Sequence, residues 1–177
     1  RLTAFLCPWT DLERGLVARA ELRKSHARGF EARAETDRPK RDTAAPALEC
    51  KAVISATCFA NSTSPESGIA AQGVWARNGV ETEVVYPGCC GMPQLEQGDI
   101  AAVAESAKQV AGEFRAWIEK GYDVIALVPS CALMMKFEWP LILPEDESVK
   151  TLSNATFDIT EYIVDIAKKE GLAEGLS

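Results

Sequence analysis

The sequence predicts an α/β, Rossmann-like fold: a short parallel sheet of about four strands flanked by helices, with an N-terminal helical arm. Three observations predict it. From Lys51 onward, short apolar runs alternate four times with segments of helical period, the pattern of parallel strands covered by helices on both faces. The run "YDVIALVP" (122–129) is apolar throughout, as a strand buried on both faces should be. The chain's 177 residues, 47% apolar and 25% charged, suit one soluble domain with a sizeable core.

The elements follow in order. "DLERGLVARAELRKSHARGFEARAE" (11–35) is rich in Ala, Arg and Glu and predicts a surface helix with a thin apolar stripe. "TDRPKRDTAAPALE" (36–49) holds two prolines among small and charged residues and predicts a linker. The chain thus divides into a helical arm and linker over 1–49 and a domain over 50–177. "KAVISAT" (51–57) is a first buried strand. "GIAAQGVWARNGV" (68–80) is a helix that turns Ile69, Val74 and Trp75 to the sheet and ends near Asn78-Gly79. "ETEVVYP" (81–87) is a second strand, closed by Pro87-Gly88.

"DIAAVAESAKQVAGEFRAWIEKG" (99–121) is the longest helix, with Ile100, Val103, Ala107, Val110, Phe114 and Trp117 at three- and four-residue steps. Gly121 terminates it. After the third strand, "SCALMMKFEW" (130–139) predicts a short helix ended by Pro140. A fourth strand is expected around "VKTL" (149–152). The last helix, "DITEYIVDIAKKEGL" (158–172), has an acidic start and a basic end.

Charge narrows the function. Residues 1–50 balance at +2 and the remainder at −9, giving −7 overall. No basic stripe with interleaved aromatics appears, which argues against nucleic acid as a partner. The one histidine, His26, lies in the arm, so histidine acid–base chemistry is not expected. No apolar run reaches the length of a transmembrane helix, and no cationic start followed by an apolar stretch marks a secretion signal. The chain begins at Arg1 rather than Met, which points to a piece of something longer.

The six cysteines are Cys7, Cys50, Cys58, Cys89, Cys90 and Cys131. With an ample core and no secretion signal, a reducing, cytoplasmic setting is expected, which leaves metal binding or thiol chemistry as their use. Cys58 follows the first strand, Cys89 and Cys90 the second, and Cys131 the third. In an open parallel sheet those loops emerge at one edge, the carboxyl ends of the strands, where ligands bind. Four thiols could converge there. Gly88 and Gly91 let the chain bend around the pair, Pro93 stiffens the exit, and Cys131 at a helix start is favoured as thiolate. Soft thiolates select iron–sulfur clusters, zinc or copper(I). Cys50 enters the first strand from the opposite end and is expected to be an ordinary thiol; Cys7 belongs to the arm.

The stretch "SATCFANSTSPESGIAAQGVWARNGVETEVVYPGCCGMPQLEQGD", followed by "GYDVIALVPSCALMMKFEWP", resembles the cysteine-rich CCG domain. That domain occurs in the cysteine-rich subunits of heterodisulfide reductase and of anaerobic glycerol-3-phosphate dehydrogenase, and in iron–sulfur subunits of glycolate and lactate oxidases. "PSCALM" and "TFDITEYI" resemble the glycerol-3-phosphate type most. The resemblance covers roughly residues 50 to 172.

It implies that Cys58, Cys89, Cys90 and Cys131 are cluster ligands. Family members with a noncubane 4Fe–4S cluster end in Cys-x-x-Cys, whereas Met134 stands here at the fifth-ligand position. Four thiolates match an ordinary 4Fe–4S cubane and equally tetrahedral zinc. As a residue, Met134 is expected in the core. The resemblance further implies the first of two tandem CCG domains, a ferredoxin-like neighbour and a flavoprotein dehydrogenase partner. A quinone or another carrier would lie downstream, with the complex placed at the inner face of a membrane. The implied role is that of an electron-transferring oxidoreductase component rather than a stand-alone enzyme. A zinc-bound or metal-free interaction domain, and thiol–disulfide catalysis at Cys89 and Cys90, are the alternatives.

Overall fold

The computed structural model describes residues 28–175, so Cys7, His26 and most of the expected arm helix lie outside the described residues. Four parallel strands, β1 (Lys51–Ser55), β2 (Glu81–Val85), β3 (Asp123–Ala126) and β4 (Thr156–Asp158), form one sheet in the order β2-β1-β3-β4. The order reverses at β1, and the ends of the strands are level: Ser55 pairs in register with Val85 and with Ala126. This alignment is what later brings the cysteine loops together.

The strands bury both faces, so their apolar residues split by alternation. Val53 and Val124 face α5 (Ile100–Glu119) and α8 (Glu147–Ala155), packing with Val103, Val110, Phe114 and Leu152. Ala52, Ile54 and Ile125 face the other way, toward Trp75 on α3 (Pro65–Arg77) and Tyr162 and Ile166 on α9 (Ile159–Lys169). Trp75 and Tyr162 meet edge to face at 5.1 Å. Along α5 the buried stripe runs Val103, Ala107, Val110, Phe114, whereas Ile100 in the first turn stays exposed. Among the described residues, no helix is long and apolar enough to cross a membrane.

The segment before β1 is packed rather than splayed. Helix α1 (Phe30–Ala34) buries Phe30 completely in the same core as Trp75. Its ring lies on Gly68 of α3, where an added Cβ would stand 2.5 Å from Phe30 Cγ. Residues 36–49 then run along the edge strand: Arg38 pairs with Glu83 at 2.6 Å, Arg41 reaches Glu81 at 3.7 Å, and Arg41 also donates to the Gly79 carbonyl at 2.6 Å. A charged cover of this kind blunts an open sheet edge.

Two expectations are corrected. The fourth strand is Thr156–Asp158, and residues 149–152 lie inside α8. Asp146 caps that helix by accepting from the Ser148 and Val149 N–H groups. Val149 and Leu152, three apart, bury the same face; four residues are too few to separate the two periods. Nor does Pro140 end the helix after Cys131. The chain runs from α6 (Pro129–Leu133) through a π-helical turn (Met134–Glu138) into α7 (Trp139–Ile142). Proline has no N–H for the carbonyl four residues back, here that of Lys136. The ladder widens instead, and the Ser153 hydroxyl donates to that carbonyl at 2.7 Å.

Candidate metal centre

Each cysteine loop leaves a strand end within a few residues of the common register line. Three residues beyond Ser55, Cys58 opens α2 (Cys58–Ser62), whose first turn is fixed by the Thr57 hydroxyl accepting from the Ala60 N–H. Four beyond Val85 come Cys89 and Cys90. The pair is flanked by Gly88 (φ 148°) and Gly91 (φ 81°), conformations that a residue with a Cβ rarely takes. Gly91 also serves as N-cap of α4 (Met92–Glu96). Five beyond Ala126, Cys131 sits in the first turn of α6. Level strands and short loops therefore deliver four thiols to one edge.

One sulfur contact joins two of the loops. Cys90 donates its S–H to Cys131 Sγ at 3.2 Å. Cys90 and Cys131 are buried, Cys58 and Cys89 half-buried. At 3.2 Å the inner pair is well beyond the ~2.05 Å of a disulfide. It is closer than the roughly 3.8 Å between two thiolates of a tetrahedral zinc site with Zn–S of about 2.3 Å. The inner pair is thus joined by a thiol hydrogen bond. Among the described residues, no three of His, Cys, Asp or Glu stand as a ready cage for a single ion.

The four thiols are shifted in opposite directions by their surroundings. The neighbouring Cys58, then Cys90, and the backbone N–H groups of Gly91 and Cys90 lower the Cys89 thiol, although burial opposes them. Cys131 is lowered by the Cys90 S–H and, less, by Ser130. Cys58 is pushed up as donor to Cys89 and by burial, and Cys90 as donor to Cys131. Thiolate is the form that binds metal and attacks. A set of four thiols at a sheet edge, two buried and two half-buried, fits a soft, thiolate-held centre.

The structure separates the remaining candidates from this group. Cys50 precedes β1 at the opposite edge, half-buried, and burial pushes its thiol up. Met134 is completely buried one turn after Cys131, in the core that also holds Cys90 and Cys131. One residue escaped the sequence reasoning. Trp139, fully buried, donates its indole N–H to the Cys90 carbonyl at 3.1 Å. Only its place before Pro140 in the cysteine-bearing helix could have drawn attention to it.

Residues 52–136, the stretch holding all four cysteines, match the family model of the cysteine-rich domain CCG. These residues form a CCG domain. Its curated relatives carry the name "Lactate utilization protein A". The one from Bacillus pumilus is 32% identical over 117 residues, 62% of this chain and 46% of the relative. That from Geobacillus sp. (strain WCH70) is 29% identical over 133 residues, 71% and 53% respectively. The protein of Geobacillus kaustophilus is 35% identical over 92 residues, 50% and 36%. The chain spans about half the length, or less, of these relatives. No solved structure gives a significant match. The names fall on the lactate side of the resemblance drawn from the sequence, rather than on the glycerol-3-phosphate type that "PSCALM" suggested.

Proposed function

We propose that the CCG domain is the iron–sulfur component of a flavin-linked dehydrogenase complex, acting in lactate oxidation, with Cys58, Cys89, Cys90 and Cys131 as ligands of a 4Fe–4S cluster. The single observation that supports the reading is that these four cysteines lie in three loops at the carboxyl edge, with the Cys90 and Cys131 sulfurs 3.2 Å apart. The relatives' name supports the lactate context. A cluster of this kind supplies one-electron transfer at a potential set by its charge, hydrogen bonds and exposure.

The chain's own residues do the rest. All four sulfurs ligate as thiolates, so the thiols must release their protons and loading is favoured as pH rises. The apolar wall of Val103, Met134 and Trp139 beneath Cys90 and Cys131 keeps water from the inner side of the site. The half-exposed Cys58 and Cys89 face outward, toward a flavoprotein partner or a second CCG domain. A quinone or other carrier then takes the electrons, and the complex works in the cytoplasm or at the inner membrane face.

The test is metal and sulfide analysis after anaerobic purification. About four iron and four sulfide per chain are expected, with a brown protein. Zinc without sulfide would assign a structural domain instead. No metal, together with reversible two-electron thiol chemistry, would assign the disulfide role.

A further inference from the structure

The bend carrying Cys89 and Cys90 belongs to neither a helix nor a strand, so its shape depends on what holds it from outside. Its entry is tied by the Tyr86 N–H to Glu31 Oε1 at 2.8 Å and by Gln109 Nε2 to the Pro87 carbonyl at 3.0 Å. Its exit enters α4 through the Leu95 N–H to the Gly91 carbonyl at 2.9 Å. Between them stands the bond from Trp139 Nε1 to the Cys90 carbonyl. Of these four bonds, it alone joins the bend to the helical run that carries Cys131. A buried carbonyl without a partner is costly, so the indole N–H decides which way the Cys90 peptide faces.

The reach of Trp139 depends on the irregular helix. Cys131 lies in α6 and Trp139 opens α7 eight residues later, with the π-helical turn between them. A π turn resets the direction of every side chain that follows, and such turns recur at functional sites. Here Pro140 and the Ser153–Lys136 bond hold the wider turn in place. The indole is packed on all sides in the core of Val103, Met134 and Met135, so its donor is not free to turn away.

We propose that Trp139 is a positioning residue for the thiolate site: through the Cys90 carbonyl it fixes the Cys90 sulfur relative to Cys131. This rests on the reading that Cys90 is a cluster ligand. Groups that orient a ligand without touching the metal typically account for 10–100-fold in retention or affinity, and Trp139 is such a group.

The experiment compares Trp139→Phe, Trp75→Phe and Cys90→Ser with wild type. Each is loaded anaerobically with ferrous iron and sulfide, and the rate of iron loss to a chelator is followed. Trp75 is an apt control because it is as buried as Trp139, sits on the other face of the sheet, and has no partner for its indole nitrogen. Trp139→Phe should lose iron about 10–100-fold faster than wild type with an altered visible spectrum. Trp75→Phe should lose it at the wild-type rate even if its urea midpoint falls as much.

Equal rates for Trp139→Phe and wild type would overturn the proposal, as would equal acceleration in both tryptophan variants. Cys90→Ser retaining iron like wild type would instead overturn the reading beneath it. Should Trp139→Phe fail to fold, benzothienylalanine at position 139 keeps the bicyclic shape and removes only the donor. The same acceleration is then expected, and its absence refutes the positioning role.

Discussion

Two glycines of α3, five residues apart, should respond to alanine with opposite signs. At Gly68 the new Cβ would stand 2.5 Å from Phe30 Cγ and Cδ1 and 2.6 Å from Cδ2, against a normal carbon contact of about 3.5–4.0 Å. The ring is fully buried, so it must shift by roughly an ångström against its neighbours. Overpacking of that size costs about 1–3 kcal/mol, and the helix-propensity gain of Gly→Ala returns up to about 1 kcal/mol. A net loss of about 1–2 kcal/mol follows. At Gly73 nothing lies within 4 Å, so Gly73→Ala should gain about 0.5–1 kcal/mol. At roughly 2–4 °C per kcal/mol for a domain of this size, the two variants should melt several degrees apart, on either side of wild type. Circular dichroism melts and urea titrations read this directly. Phe30→Leu placed on Gly68→Ala should recover part of the loss. If both alanines stabilise alike, Phe30 does not sit on Gly68, and residues 28–49 are not part of the folded unit.

Other expectations concern charge and oxidation. Burial raises the Asp123 carboxyl above its unfolded value, with Lys169 offsetting part of the effect. Ionising it in the fold therefore costs stability, a cost absent below the unfolded value and complete once pH passes the folded one. Asp123→Asn should melt higher than wild type at pH 7 and converge with it near pH 3; a lower melting point at pH 7 would show that the carboxylate is held by a partner. In metal-free protein treated with mild peroxide, the first intramolecular disulfide should join Cys90 to Cys131, whose sulfurs already meet at 3.2 Å. The two thiols give up two electrons and two protons to the peroxide. Peptide mapping that finds the strained Cys89–Cys90 linkage instead would show that the bend opens before the thiols react.

What the sequence made legible follows from which patterns carry one meaning. Apolar runs at 51–57, 81–87 and 122–129, each followed by a cysteine, placed three strands and the edge where the thiols meet. Parallel register then leaves little freedom in where the loops emerge. "VKTL" had no such protection: its four residues bury Val149 and Leu152 equally well from a helix, and the Asp146 cap decides for helix. Pro140 misled because its cost is local, whereas the π turn and Ser153 that accommodate it are set by tertiary contact. The packing of Phe30 onto Gly68 and the bond from Trp139 to Cys90 join residues 38 and 49 positions apart, and neither leaves a periodic trace. That four cysteines fall in loops at the carboxyl edge could be read from the chain. The contact between the Cys90 and Cys131 sulfurs could not, because it depends on how two distant loops pack.

The central claim is that four particular cysteines act as one site, and iron bound per chain tests it most directly. Cys58→Ser, Cys89→Ser, Cys90→Ser, Cys131→Ser and Cys50→Ser would be loaded anaerobically alongside wild type, desalted and assayed for iron and sulfide. The account predicts that each of the first four loses most of its iron and sulfide. Cys50→Ser, changed at the opposite edge of the sheet, should hold as much as wild type. Full iron in Cys58→Ser or Cys131→Ser, or loss in Cys50→Ser equal to that of the other four, would contradict it.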